Sequence, residues 1–267
     1  MTETSIALPC CHFVRRSRGQ VDARPALPQA WPAMLPLDHL PFPTSDLEGL
    51  AEAMRRLGFT VSPRGRYVQP DGAVFPNRCV FLKKGWFDLL QADEAPAEVL
   101  PRGCLFLTGD VQATRVALAD LGPSRRTFLL ERRWDQDVGR PPERFRWIGF
   151  KTDRLGVQAA AVEHAWPCVD ILPEWQVHPN GAVEILGLAS TGKPPGETGL
   201  DTSGFLYLSA EAVAETYGAE LAVRLKVDDL WQTRRALHRG GVEWRQAGAS
   251  LIIPPHGAVA CAFEFSA

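Results

Sequence analysis

One supersecondary unit, a strand followed by a helix and three more strands, occurs repeatedly along this chain and constrains its fold more than any other feature. Each copy starts with a short apolar run, continues into a helix with apolar residues three and four apart, and ends in a glycine before further short strands. The helices of three copies begin at Asp46, Asp110 and Asp229. The second interval is about twice the first, so a degenerate fourth copy is expected between them, at 182–189 and 204–218.

A β-α-β-β-β unit forms a small curved sheet that cannot bury its inner face alone. Pairing two such units closes their concave faces around a cavity, so an even number of modules is expected, and four fit 267 residues. The sequence therefore predicts an α+β protein of four tandem βαβββ modules, the third truncated, that pair into half-barrels.

Composition changes divide the chain into three parts. Residues 1–34 are rich in proline and arginine without periodicity and are predicted to be an irregular leader. Residues 35–165 would hold the N-terminal module pair and 166–267 the degenerate C-terminal pair. The Gly- and Pro-rich stretch 191–204 is the candidate mobile loop.

The start of the first module carries local signals. Ser45 is followed three residues later by Glu48, which predicts a capping box at the start of a helix. Gly58 would end that helix. The apolar residues 59–61 would then form a strand.

Charge and hydropathy exclude several classes of protein. A net charge of -2 gives no sign of a polyanion-binding surface, so nucleic acid is not an expected partner. No apolar run approaches the roughly 18 residues of a membrane span, and no secretory signal is evident, so we expect no membrane partner and a cytoplasmic location.

The six cysteines are scattered without a Cys-x-x-Cys pair, which predicts reduced thiols. Cys79, Cys104 and Cys261 lie in apolar runs and are interpreted as small core residues. The signatures of P-loop NTPases, serine hydrolases, zinc metalloproteases and dinucleotide-binding folds are absent from the sequence.

Several short motifs, in this order, resemble the vicinal oxygen chelate superfamily and its branch of glyoxalase-like domain proteins. The resemblance covers about 36–267. The motifs are Leu37-Asp38-His39-Leu40 with Asp46-Leu47, Leu57-Gly58-Phe59-Thr60-Val61, Asn77-Arg78 with Phe87-Asp88-Leu89, and the stretch 173–182.

The resemblance implies a divalent metal (Fe, Mn, Zn, Ni or Mg) that chelates vicinal oxygens of a substrate inside a barrel. His39 and Asp88 match the ligand positions on the first and fourth strands of module one, and strand alternation turns both to one face. His164, at the end of the closing strand of module two, is the candidate third ligand. The alternative is that these are ordinary polar residues at strand ends.

Other residues are candidates for substrate binding. Asn77 and Arg78 could contact an anionic group, although a salt bridge of Arg78 with the acidic loop at Asp71 is the simpler interpretation. The remaining candidates are a turn, with His178 and Asn180, and an inward-facing carboxylate in the last strand, Glu264.

The favoured function is a metal-dependent lyase, isomerase or dioxygenase that acts on a small oxygenated organic substrate. The alternatives are a metal-free protein that sequesters a small molecule and an enzyme that works without metal. A small-molecule substrate is the expected partner, and a homodimer is compatible with the sequence.

Overall fold

The computed structural model describes residues 34–96, 98–136, 142–151, 158–166, 171–191 and 198–267. The predicted leader lies outside the described residues except for Met34, and so do residues 192–197 of the predicted mobile loop. The described residues belong to one compact unit.

Module one has the predicted order of elements. They are β1 (Leu37–Thr44), α1 (Leu47–Arg56), β2 (Gly65–Val68), β3 (Val74–Phe81) and β4 (Trp86–Gln91). Helix α1 is capped by Asp46, whose carboxylate accepts the Gly49 N–H at 2.9 Å. The prediction that Ser45 is the cap is therefore wrong by one residue.

The helix ends as predicted, at Gly58, which has a φ of 84° that side-chain-bearing residues rarely adopt. The strand predicted at 59–61 is wrong. The N–H groups of Phe59 and Thr60 bond to the Met54 carbonyl and to His178 Nδ1, so they are not available to a neighbouring strand.

Module two repeats this order and closes a barrel with module one. Its elements are β5 (Gly103–Leu107), α2 (Val111–Ala117), β6 (Phe128–Trp134), β7 (Glu143–Gly149) and β8 (Gln158–Trp166). Antiparallel pairing of β1 with β5 and of β2 with β6 joins the modules at both edges. The result is a closed barrel in the order β1-β4-β3-β2-β6-β7-β8-β5.

The C-terminal half is a six-stranded sheet in the order β10-β9-β11-β14-β13-β12. Its elements are β9 (Ala182–Thr191), β10 (Leu206–Leu208), α3 (Ala210–Tyr217), β11 (Leu221–Val227), α4 (Leu230–Arg239), β12 (Arg245–Ala247), β13 (Ser250–Ile253) and β14 (Ala262–Ser266). Strands β11 to β14 with α4 are a complete fourth module.

The third module is truncated, as the sequence predicts. β9 pairs parallel with β10 and antiparallel with β11, which are the pairings that β5 makes with β8 and β1. β9 and β10 are thus its first and last strands. Helix α3 packs through Val213 and Tyr217 on the face of the sheet that carries the small residues Ala222 and Ala262.

The opposite faces of the two sheets share one apolar core. Leu40 and Phe87 from the barrel belong to the same buried cluster as Val223 and Phe263 from the second sheet. Phe59 links the two halves, because its ring centroid lies 5.6 Å from that of Phe87 and 6.1 Å from that of Phe263. No helix in the described part of the chain is long and apolar enough to cross a membrane.

Candidate functional site

Every second residue of the barrel strands points into the barrel. In β4, Phe87 and Leu89 belong to the shared core outside the barrel, so Trp86 and Asp88 face its interior. The same alternation turns His39 of β1 inward. The strand parity predicted for these residues is confirmed.

Asp38 is the centre of a polar cluster at one end of the barrel. A single carboxylate oxygen, Asp38 Oδ2, lies 2.6 Å from His39 Nδ1 and 3.2 Å from His164 Nε2. The same oxygen accepts the indole N–H of Trp86 at 3.2 Å. The ring of His39 also lies against that of Trp86, with centroids 4.1 Å apart.

Sequence reasoning did not single out Asp38, because strict alternation separates neighbouring residues onto opposite faces of a strand. The pairing of β1 with β5 changes register between Leu37 and His39, and such an irregularity re-aims side chains. Burial alone would raise the pKa of Asp38, but the hydrogen bonds and charges of His164 and His39 hold the pKa well below its usual value. Asp38 is therefore a carboxylate at neutral pH.

Asp88 belongs to a second cluster, deeper in the barrel. Its Oδ1 accepts the Asn77 amide at 3.1 Å, and its Oδ2 accepts the Tyr67 hydroxyl at 2.9 Å. Burial raises the pKa of Asp88, although His39, Arg132 and these two donors oppose the shift. A buried carboxyl in this state is suited to hold a proton.

Arg132, on β6, is fully buried inside the barrel. Its Nε donates to Glu143 Oε2 at 2.6 Å, and its Nη1 lies 3.3 Å from Cys79 Sγ. Glu143 uses its other oxygen to accept the indole N–H of Trp134 at 3.2 Å. The guanidinium carbon lies within 4.8–5.8 Å of the centroids of five aromatic rings, those of Tyr67, Phe81, Trp86, Trp134 and Phe145.

Sequence reasoning also missed Arg132, although a signal was present. Leu130, Arg132 and Trp134 alternate along one strand and share a face, and that face turns inward here. The neighbouring arginine, Arg133, has the opposite parity and is exposed. A lone arginine between apolar residues on one strand face was the available indication.

The structure brings together two of the three predicted metal ligands. His39 and His164 share the Asp38 carboxylate, whereas Asp88 is bonded to Tyr67. Within the described ranges, no group of three or more His, Cys, Asp or Glu side chains is arranged to hold a metal ion. In this arrangement both imidazoles hydrogen-bond to Asp38 and the Asp88 carboxylate accepts the Tyr67 hydroxyl, so the metal triad stays a prediction.

Asn77 and Arg78 lie on opposite faces of β3. Asn77 is inside the barrel, where its Nδ2 bonds to Asp88. Arg78 is outside, and its Nη2 forms an ion pair with Glu48 at 2.9 Å. The expected salt bridge of Arg78 therefore exists with Glu48 of α1 as its partner, and the guanidinium is turned away from the barrel interior.

His178 and Asn180 connect the two halves of the chain. His178 Nδ1 accepts the Thr60 N–H at 3.0 Å, and its Nε2 lies 2.8 Å from the Phe81 carbonyl, so both ring nitrogens have backbone partners. The Asn180 amide donates to the Leu57 carbonyl at 3.0 Å. The structure thus has both side chains joining the segment 178–180 to backbone groups of module one.

Glu264 faces the concave side of the second sheet, as predicted. Its Oε2 accepts the Tyr217 hydroxyl at 2.8 Å and the Arg224 Nε at 2.9 Å, and its Oε1 accepts the Ser250 hydroxyl at 3.0 Å. The carboxylate is fully bonded beneath α3. Glu184, on β9, forms an ion pair with Lys84.

Cys79, Cys104 and Cys261 are buried free thiols, which confirms their interpretation as core residues. Burial raises the pKa of all three, to about 12 for Cys261. They therefore remain protonated at neutral pH and are poor nucleophiles.

Comparison with known proteins agrees with this architecture. The model of the glyoxalase-like domain family matches residues 37–202, more than half of the chain. The chain belongs to the glyoxalase-like domain family. This match agrees with the resemblance of the motifs to the vicinal oxygen chelate superfamily.

Two solved structures are similar to this glyoxalase-like chain. One is a triple variant of 4-hydroxymandelate synthase from Streptomyces coelicolor, with a TM-score of 0.50 and 12% identity over 87% of this chain and 92% of that one. The other is a fusion of a xylose isomerase-like TIM barrel with 4-hydroxyphenylpyruvate dioxygenase, with a TM-score of 0.49 and 12% identity over 87% of this chain and 48% of that one. The first shows the same fold. The search of curated proteins found no match.

Proposed function

We propose that this glyoxalase-like protein is an enzyme of the glyoxalase or dioxygenase type that acts on a small oxygenated organic substrate inside the N-terminal barrel. The observation that carries the proposal is the concentration of ionisable side chains in the barrel interior. Five of them are at most 9% exposed: Asp38, His39, Asp88, Arg132 and Glu143.

Stability alone does not account for these groups. Burying a charge costs several kcal/mol even when it is paired, and well-packed apolar residues often replace buried ion pairs without loss of stability. A barrel of this size needs only apolar side chains to fill it, as Phe145 and Val162 do in part here. Concentrated ionisable groups with shifted pKa values are typical of reaction sites.

The cluster around Asp38 has the arrangement of a proton-transfer site. A carboxylate bonded to His39 Nδ1 fixes the ring and favours the tautomer with the proton on that nitrogen. His39 Nε2 is then the basic nitrogen, and the described residues provide no hydrogen-bond partner for it. The His164 side chain is 20% exposed, so we propose that substrate enters at this end of the barrel.

The proposal includes dependence of the activity on a divalent metal ion. The resemblance assigns a divalent ion to His39, Asp88 and His164, and the same ion would have to replace the hydrogen bonds that Asp38 makes to both imidazoles. Elemental analysis of untagged protein from metal-replete medium tests this part. Stoichiometric metal that falls in His39→Ala would support it, and wild-type protein without metal would refute it.

The test of enzymatic activity is product formation from a panel of 2-oxo acids, 2-hydroxy acids and catechols, followed by mass spectrometry with and without added divalent metals. We expect turnover in the wild type and its loss in His39→Ala. His238→Ala is the matched control, because His238 is exposed at the end of α4. Turnover of no compound, or equal turnover in His39→Ala, would contradict the proposal.

The second candidate is a metal-free binding protein that sequesters a small molecule. It is favoured by the hydrogen bonds that the barrel residues make among themselves, which occupy Asp38 and Asp88 with protein donors. Tight binding of a panel compound without any product would support this candidate over the enzyme.

A further inference from the structure

The Arg132 guanidinium has one nitrogen without a partner. Nε bonds to Glu143, and Nη1 contacts Tyr67 and Cys79, but Nη2 is buried and has no hydrogen-bond partner among the described residues. A buried donor left unsatisfied costs about 1–3 kcal/mol, and more when it is charged. Since buried polar groups are nearly always satisfied in native proteins, an external acceptor is expected here.

Resting on the function proposed above, we infer that Arg132 binds a carboxylate of the substrate inside the N-terminal barrel. Arginine presents its N–H groups in a planar fork that matches two carboxylate oxygens. A carboxylate often bonds to such a fork through both of its oxygens. Glu143 bonds to Arg132 through Oε2 alone, because its Oε1 accepts the indole N–H of Trp134. Nη2 is thereby left for a second acceptor.

The guanidinium is held rigidly in place. Glu143 fixes Nε at 2.6 Å, while the rings of Trp86 and Trp134 lie 4.9 and 4.8 Å from the guanidinium carbon. Each indole is itself anchored by a carboxylate, Trp86 by Asp38 and Trp134 by Glu143. A receptor that is already ordered loses little conformational entropy when a ligand binds.

The position of Arg132 connects it to the proposed proton-transfer cluster. Trp86 contacts both the guanidinium and the His39 ring, at 4.9 and 4.1 Å. A carboxylate bound at Nη2 would therefore lie beside the indole that also contacts His39. The inference gives the substrate class as a small organic acid whose second oxygenated carbon faces the histidine.

A second unsatisfied atom is consistent with an oxygenated ligand. In the part of the chain that the structure describes, Asn77 Oδ1 is buried without a partner, and both Asn77 Nδ2 and Arg132 Nη1 contact the Cys79 sulfur, at 3.5 and 3.3 Å. An acceptor and a donor thus remain open near one cysteine. A hydroxyl on the acid would satisfy the Asn77 carbonyl.

The test is calorimetric titration of the full-length chain with benzoate and phenylpyruvate, using benzamide as the uncharged analogue of benzoate. Tryptophan fluorescence provides a second readout, because two indoles flank the guanidinium. We expect at least one acid to bind and benzamide to bind at least tenfold more weakly than benzoate. If neither acid binds, or if benzamide binds as well as benzoate, the inference is wrong.

Variants identify the receptor. Arg132→Lys should weaken acid binding at least tenfold, and Arg132→Met with Glu143→Gln should abolish it without leaving a buried unpaired carboxylate. Arg133→Met is the matched control, since Arg133 neighbours Arg132 on β6 but is exposed. Unchanged binding in the double variant would overturn the assignment.

The outcomes for the inference and for the proposed function are separable. Acid binding that depends on Arg132, with no turnover of any compound, supports the carboxylate receptor and contradicts the enzyme. Turnover that is unaffected in the double variant supports the enzyme and contradicts the receptor.

Discussion

Acidification should destabilise this protein through His178, whose ring joins the two halves of the chain. Burial lowers the pKa of His178 from 6.5 to about 4, although its hydrogen bond to the Phe81 carbonyl opposes the shift. The Nδ1 atom accepts the Thr60 N–H, and protonation would turn this acceptor into a donor facing another donor. Between these two pKa values, His178 is therefore protonated in the unfolded chain and neutral in the folded chain.

The magnitude follows from linkage. Because the pKa is lower in the folded chain, the stabilising effect is fully present above pH 6.5 and is lost as the pH falls from 6.5 to about 4. Each pKa unit corresponds to about 1.36 kcal/mol, so the total loss is about 3 kcal/mol. About 2 kcal/mol of it should be lost by pH 5.

Urea denaturation at pH 7.5 and pH 5.0 measures this effect, and His178→Gln removes the titration while keeping a side-chain donor and acceptor. The free energy of unfolding should fall by about 2 kcal/mol more in the wild type than in His178→Gln. His238→Gln, at an exposed site, should behave like the wild type. Equal pH dependence in wild type and His178→Gln would refute the reasoning.

Three further substitutions test the packing and capping described above. Gly240→Ala places a Cβ 1.9 Å from the Arg56 carbonyl oxygen, so urea midpoints should show a loss of about 3 kcal/mol or more. Asp46→Ala removes the acceptor of the Gly49 N–H at the start of α1 and should cost about 1 kcal/mol by the same assay. Phe87→Ala empties a fully buried site in the shared core and should cost about 3–5 kcal/mol.

The module pattern was predictable because it depends on local periodicity. Alternation in β4 places Phe87 with the core and Asp88 in the barrel, and both assignments follow from residues next to each other in sequence. The presence of a degenerate module three was also predictable, since the second interval between helix starts is about twice the first.

The contacts of the candidate site were less predictable because they join distant residues. Asp38 and His164 are 126 positions apart in the sequence. Their contact depends on a change of register in β1, which no residue type in that strand predicts. The pairing of Arg132 with Glu143 crosses a hairpin, and its burial depends on closure of the barrel. Alternation along a strand predicts which face a side chain points to. Its hydrogen-bond partners are set by the closure of the barrel.

The two halves of the chain use related sheets in opposite ways. In the C-terminal half, α3 covers the concave face, and Glu264 is satisfied by three protein donors, Tyr217, Arg224 and Ser250. In the N-terminal barrel, a fully buried arginine keeps an unsatisfied nitrogen beside a histidine and a carboxylate. A polar group satisfied by its own chain has no need of a ligand, whereas an unsatisfied one gains from an external partner. Chemistry is therefore expected in the N-terminal barrel, and changes at Glu264 should act through folding.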